Sequence, residues 1–123
     1  MPIELNWDED IENTIVAVFE GAWTWGDANA ALDELREMTV GYDTINLIVD
    51  NRRTQVRPGD IIGNIRNLIG GLPKSISFVA MVRTTTIARM MIDVLKHAGL
   101  ARNIVYVSSV NEAREHILRR ERS

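Results

Sequence analysis

Four short runs rich in branched and aromatic residues recur along the chain: Thr14–Phe19, Ile45–Val49, Ile76–Val82 and Ile104–Val107. Each is followed by a stretch whose apolar residues return at helical spacing, and no other feature restricts the fold as much. Short apolar runs of this kind are strands, and strands that alternate with helices join through right-handed crossovers into a mainly parallel sheet. A fifth strand precedes them. Ile3-Glu4-Leu5-Asn6-Trp7 alternates apolar and polar residues, the mark of a half-buried strand, and the polar turn Asp8-Glu9-Asp10 makes it one arm of a hairpin with Thr14–Phe19.

The intervening stretches read as four helices. From Thr24 to Met38, Trp25, Ala28, Leu32, Leu35 and Met38 share one face. Pro58 opens the second helix, where its missing N–H has no partner to lose, and Ile61, Ile62, Ile65, Leu68 and Ile69 form its stripe before Gly70-Gly71 and Pro73 stop it. Thr86 to Ala98 is the third, with Ile87, Met91, Val94, Leu95 and Ala98 inward and Gly99 at its end. Ser109 and Glu112 form a capping box for the last, which packs through Val110, Ala113 and Ile117. The order is ββαβαβαβα: an α/β chain with a mixed, mainly parallel five-stranded sheet and four helices. Near-continuous apolar character in Ile76–Val82 places that strand in the sheet interior.

Composition removes several classes of function. With no cysteine among 123 residues, disulfides, thiolate metal sites and a cysteine nucleophile are excluded. The start carries no basic and apolar leader, and no apolar run approaches the roughly 18 residues of a membrane span. A cytoplasmic protein without membrane insertion is the expectation. Charge is uneven: residues 1–50 carry a net of −11 and residues 51–123 a net of +8. Either the halves interleave on folding, or the asymmetry serves a partner or a homodimer in which an acidic face meets a basic one. Nucleic acid is not expected, because the sequence pI is near 5.4 and the basic half lacks stacking aromatics.

The order of elements, the strand end Leu47-Ile48-Val49-Asp50, and the tail from Leu95-Lys96-His97-Ala98-Gly99-Leu100 through Val105-Tyr106-Val107 to Ser109-Val110-Asn111-Glu112-Ala113 resemble the STAS domain. This is the fold of the SpoIIAA-type anti-sigma-factor antagonists and their SpoIIAA-like relatives. The resemblance implies a single STAS-like domain over residues 1–123, acting as a non-enzymatic protein-interaction or regulatory module. One departure stands out. Where the antagonists carry a phosphorylatable serine after the third strand, this chain reads Asp50-Asn51-Arg52-Arg53-Thr54-Gln55-Val56-Arg57-Pro58-Gly59-Asp60. Thr54 is the only hydroxyl nearby, in an expected loop, and Asp60 is expected in the first turn of the second helix as a fixed charge that favours the helix dipole.

In open α/β sheets, ligands and partners meet the loops at the carboxyl ends of the parallel strands. That rim gathers the candidate partner- or ligand-binding residues Trp23, Thr24, Asp50, Arg52, Arg53, Thr54, Arg57, Arg83, Thr84 and Ser108. Guanidinium groups and helix N-termini favour anions, so the partner is an acidic protein surface or, alternatively, a small anionic or lipid-like ligand. The opposing reading is that Thr24, Thr86 and Ser109 are N-caps and the arginines are solvated. Trp23 and Trp25 flank Thr24 and are expected to point in different directions, Trp25 onto the buried helix stripe and Trp23 either packed under the loop or partly exposed at the rim as an interface residue. Catalytic patterns are missing: no nucleophile elbow, P-loop or dinucleotide fingerprint occurs, and His97 and His116 stand apart on separate helices. A phosphoacceptor receiver needs paired acids after its first strand and a lysine after its fifth, and neither is present. No catalytic residue, metal or cofactor is expected. A closed apolar pocket would favour the ligand, and a flat charged rim the partner.

Overall fold

The computed structural model describes residues 2–56, 59–99 and 103–122. Its elements are β1 (Ile3–Trp7), β2 (Thr14–Ala22), α1 (Trp25–Met38), β3 (Ile45–Val56), α2 (Ile61–Gly70), β4 (Ile76–Val82), α3 (Thr86–His97), β5 (Ile104–Val107) and α4 (Val110–Arg122). The sheet runs β1-β2-β3-β4-β5 in space as in sequence; β1 and β2 are antiparallel and every later pair is parallel. The expected α/β class and strand pattern are those observed.

Strand alternation divides the core. Ile15, Ala17, Ile45, Leu47, Val79 and Ile104 face α1, α2 and α3, whereas Ile48, Phe78, Ala80, Val82 and Val107 face α4. On the α4 side, Ala113 and Ile117 are fully buried against β4, and Ile11 from the β1–β2 loop joins them. That loop is not the solvated turn its acidic sequence suggests. The Asp8 side chain is only 2% exposed and bonds Arg114 of α4 at 2.7 Å, so a carboxylate in the hairpin loop is tied to the last helix.

The elements differ from the sequence reading at several ends. β3 continues through Asn51–Val56 instead of stopping at Val49, because β2 also continues, pairing Glu20 with Arg53 and Gly21 with Thr54 beyond a shift in register after Val18. Gly21 takes φ 63 there, a conformation that glycine adopts without steric cost. β4 stops opposite Asp50, so the distal part of β3 pairs with β2 alone. Arg52, Arg53 and Thr54 are therefore strand residues, where ladder bonds override a polar, turn-like sequence. α2 begins at Ile61; Asp60 is left-handed at φ 53, makes no capping bond, and lies before the first turn, not in it. The expected helix opener Pro58 lies outside the described residues.

Two further corrections concern caps and faces. Thr85, not Thr86, caps α3, accepting from Ala88 N–H at 3.2 Å. The buried face of α3 centres on Ile92, and Ile87 and Val94, expected inward, are exposed beside Met90. At α4, Ser109 accepts from Glu112 N–H at 3.1 Å as a capping box requires, but the Glu112 carboxylate returns to Ser108.

Candidate functional site

The structure divides the rim residues between the two faces of the sheet. On the α4 side, Asp50 is buried, and Arg52 serves it with a backbone N–H at 3.1 Å, Nε at 2.9 Å and Nη2 at 2.9 Å. Burial alone would raise the Asp50 carboxyl; the hydrogen bonds and charge of Arg52, with the charge of Arg53, outweigh it and hold the group below the ordinary carboxylate range. Arg53 pairs with Glu20 at 2.9 Å, both well exposed. Asp50, Arg52 and Arg53, with Ser109, Asn111 and Arg114, line a polar cleft between β2–β3 and the start of α4. Ser108 gives its N–H and hydroxyl to one Glu112 oxygen at 2.8 Å each, and the backbone bond, ahead of the hydroxyl, draws the Glu112 pKa down.

The arginines expected to meet an acidic partner thus already hold acids of this chain. Asp50–Arg52, Glu20–Arg53 and Asp8–Arg114 each join the acidic first half to the basic second half. The interleaving reading of the charge asymmetry holds for these pairs. Arg83 differs: it is exposed and left-handed at φ 57, and its guanidinium makes no hydrogen bond or ion pair among the described residues. Arg57 lies outside the described residues.

On the other face the residues converge on a hole. Between the sheet and α1–α3 lies an apolar cavity of about 190 Å³, partly open to solvent, walled by Leu5, Phe19, Leu47, Val49 and Met81 from the sheet and by Leu32, Ile65, Leu68, Ile69 and Ile92 from the helices. It explains a feature of α2 that burial alone does not. This helix carries a broad apolar stripe, yet none of its residues is fully buried: Ile65, Leu68 and Ile69 pack against the core and, with Ile61, also line the cavity, whereas Ile62, expected in the stripe, is exposed. Protein interiors are otherwise filled to crystal-like density.

Trp23 and Trp25 wall one end of the cavity together. They do not diverge as expected; their rings meet edge to face at 5.1 Å, and Phe19 meets Trp23 likewise at 4.9 Å. Both indole N–H groups are engaged, that of Trp23 by Thr54 Oγ1 at 3.1 Å and that of Trp25 by the Gly59 carbonyl. Thr24 is the N-cap of α1, accepting from Asp27 N–H at 3.1 Å while the Asp27 carboxylate accepts from Thr24 N–H at 2.9 Å. The capping reading holds for it. Thr84 lines the cavity, and its Oγ1 is buried without a hydrogen-bond partner.

Sequence reasoning placed Trp23, Thr54 and Thr84 in one region, and the structure brings Trp23 and Thr54 into contact and sets Trp23 and Thr84 on one cavity. It did not single out Phe19, Asn51 or, from the α2 stripe, Ile61, Ile65, Leu68 and Ile69 as cavity walls. No group of acids and histidines among the described residues could hold a metal ion, and no helix among them is long and apolar enough to cross a membrane.

No protein-family model and no curated protein matches this sequence. Solved structures do match in shape. An uncharacterised protein of the DUF3478 family with a SpoIIAA-like fold, from Shewanella loihica PV-4, superposes with a TM-score of 0.63 at 14% identity, over 92% of this chain and 90% of that one. The Bacillus cell fate determinant SpoIIAA, in its phosphorylated form, superposes with a TM-score of 0.61 at 12% identity, over 94% of this chain and 98% of that one. With the same elements over nearly the whole of both chains, this protein has the SpoIIAA-like fold of STAS domains.

Proposed function

We propose that the chain is a non-enzymatic STAS-type regulatory module that takes up a small, largely apolar ligand in the cavity between the sheet and α1–α3. The cavity itself carries this reading. A pocket of about 190 Å³ with almost wholly apolar walls leaves apolar surface of the core uncovered, and an apolar guest would bury it. Of the two ligand types the sequence suggests, anionic and lipid-like, the walls support the apolar one: no charged side chain among the described residues lines the cavity.

A second reading, an interaction module acting through the strand-end rim, rests on Arg83, whose guanidinium at the cavity end of β4 is unpaired among the described residues, and on the likeness in fold to the Bacillus cell fate determinant SpoIIAA. The two readings are compatible, since Arg83 adjoins Thr84 on the cavity wall. Nuclear magnetic resonance of methyl groups on Leu47, Val79 and Ile92, titrated with toluene, tests the first. Saturable shifts confined to cavity methyls are expected; shifts absent, or spread over surface methyls, overturn it.

A further inference from the structure

Resting on the cavity reading above, we infer that the ligand is a single-ring aromatic molecule carrying one uncharged hydrogen-bonding substituent, received by Thr84 and Asn51. Size is the first argument. An apolar cavity of about 150 Å³ holds one benzene ring, so about 190 Å³ accommodates a ring with one or two further heavy atoms.

Polarity is the second. Among the polar groups on the wall, both tryptophan N–H groups are bonded, and Thr85 Oγ1 accepts from Ala88 N–H. Two remain. Thr84 Oγ1 is buried and has no partner; Asn51 lines the same wall, and its carboxamide makes no hydrogen bond among the described residues. Both lie at one end of the cavity, because Asp50 pairs with Val82, placing Asn51 and Thr84 just beyond the last rung of β3 and β4. A buried hydroxyl left without a bond is costly, and this one has no bond to lose if χ1 takes another staggered position that presents it to a ligand.

Ring chemistry is the third argument. Phe19, Trp23 and Trp25 form a chain of edge-to-face contacts along the wall, and an aromatic guest extends that chain with the same geometry. No charged side chain among the described residues lines the wall, which favours a neutral hydroxyl or amide as the substituent over a carboxylate.

The test compares p-cresol with p-xylene, which differ by a hydroxyl in place of a methyl, in methyl-resonance titrations of the full chain. p-Cresol is expected to bind about tenfold tighter, the factor that 1.4 kcal/mol represents. Thr84→Val should abolish the difference by weakening p-cresol alone, and Thr84→Ser should retain it. Equal affinities, or a preference indifferent to Thr84→Val, overturn this inference while leaving the cavity reading standing. If neither compound binds, the cavity reading falls as well. Decanol binding more tightly than p-cresol overturns the assignment of a single ring.

Discussion

Asp8 is the residue whose replacement most directly probes how the β1–β2 hairpin is held to α4. Its Oδ1 accepts from Arg114 Nε at 3.2 Å and Nη2 at 2.7 Å, and its Oδ2 accepts from the backbone N–H of Ile11 at 3.0 Å and Asp10 at 3.3 Å. Asp8→Ala removes all four bonds and leaves the Arg114 guanidinium beside an apolar methyl. Hydrogen bonds to charged groups contribute roughly 1.5–3 kcal/mol each. Two reductions apply: Arg114 is 31% exposed, so water recovers part of its solvation, and one turn N–H is already long. The net expectation is a loss of about 2.5 kcal/mol. For 123 residues at roughly 2.1 cal/mol/K each, the unfolding entropy is about 0.26 kcal/mol/K, so Tm should fall by about 10 °C. Asp8→Asn keeps an acceptor for the turn and loses only the charge, and it should cost about half as much. Circular dichroism melts of Asp8→Ala, Arg114→Met and the double variant give the coupling directly, expected near 1 kcal/mol or more. Asp8→Ala within about 0.5 kcal/mol of the parent, with no coupling, would show that the ion pair is incidental and that Ile11 alone anchors the loop.

The remaining predictions address charge, modification and assembly. Since Asp50 titrates below its unfolded value, its contribution is present above the ordinary carboxylate range of about 4 and is lost as pH falls through the lower folded value; urea midpoints measured downward from pH 5 should fall more steeply for the parent than for Asp50→Asn. At neutral pH, Asp50→Asn should cost about 1 kcal/mol, a modest figure because Arg52 is 41% exposed and can turn to water. Thr54 sits in a paired strand with its hydroxyl holding the Trp23 indole, so intact-mass analysis of protein from its native host should show no phosphoryl addition; a stoichiometric addition mapped to Thr54 would refute this. The outer edge of β1 is unpaired among the described residues, and it predicts self-association weakened by salt, where a monomer in sedimentation at low and high ionic strength would count against it.

The architecture was legible because each element announces its period. Ile76–Val82 and Ile104–Val107 match the observed β4 and β5 residue for residue, and Gly99, at φ 79, ends α3 as a glycine in that place should. What escaped has a common physical cause: the partner that decides a residue's state is distant in sequence. Asn51–Val56 looks like a loop, and its strand bonds come from Glu20–Ala22 some thirty positions earlier. Asp8 looks solvated until Arg114 arrives. Thr85 and Thr86 offer the same hydroxyl to the α3 terminus, and only the backbone angle distinguishes them. The cavity is the extreme case: an apolar stripe on α2 reads identically whether it meets side chains or empty space. For the candidate site, the sequence pointed to the strand ends but could not say that alternate residues face opposite layers, which is why Asp50 and Asn51 end in different environments.

Spatial and sequential order coincide across the five strands, and this bears on how the chain reaches its native state. Every strand pairs with the one synthesised just before it, so no ladder waits for a segment that has yet to leave the ribosome. Each closure spans a single crossover, and the entropic cost of a loop rises only slowly with its length. The sheet can therefore lengthen by one strand at a time from the β1–β2 hairpin, the most local pairing it contains. α4 reaches far back along the chain, setting Arg114 on Asp8 across 106 positions. That contact is among the last that the growing chain can make, so it reports completion of the fold.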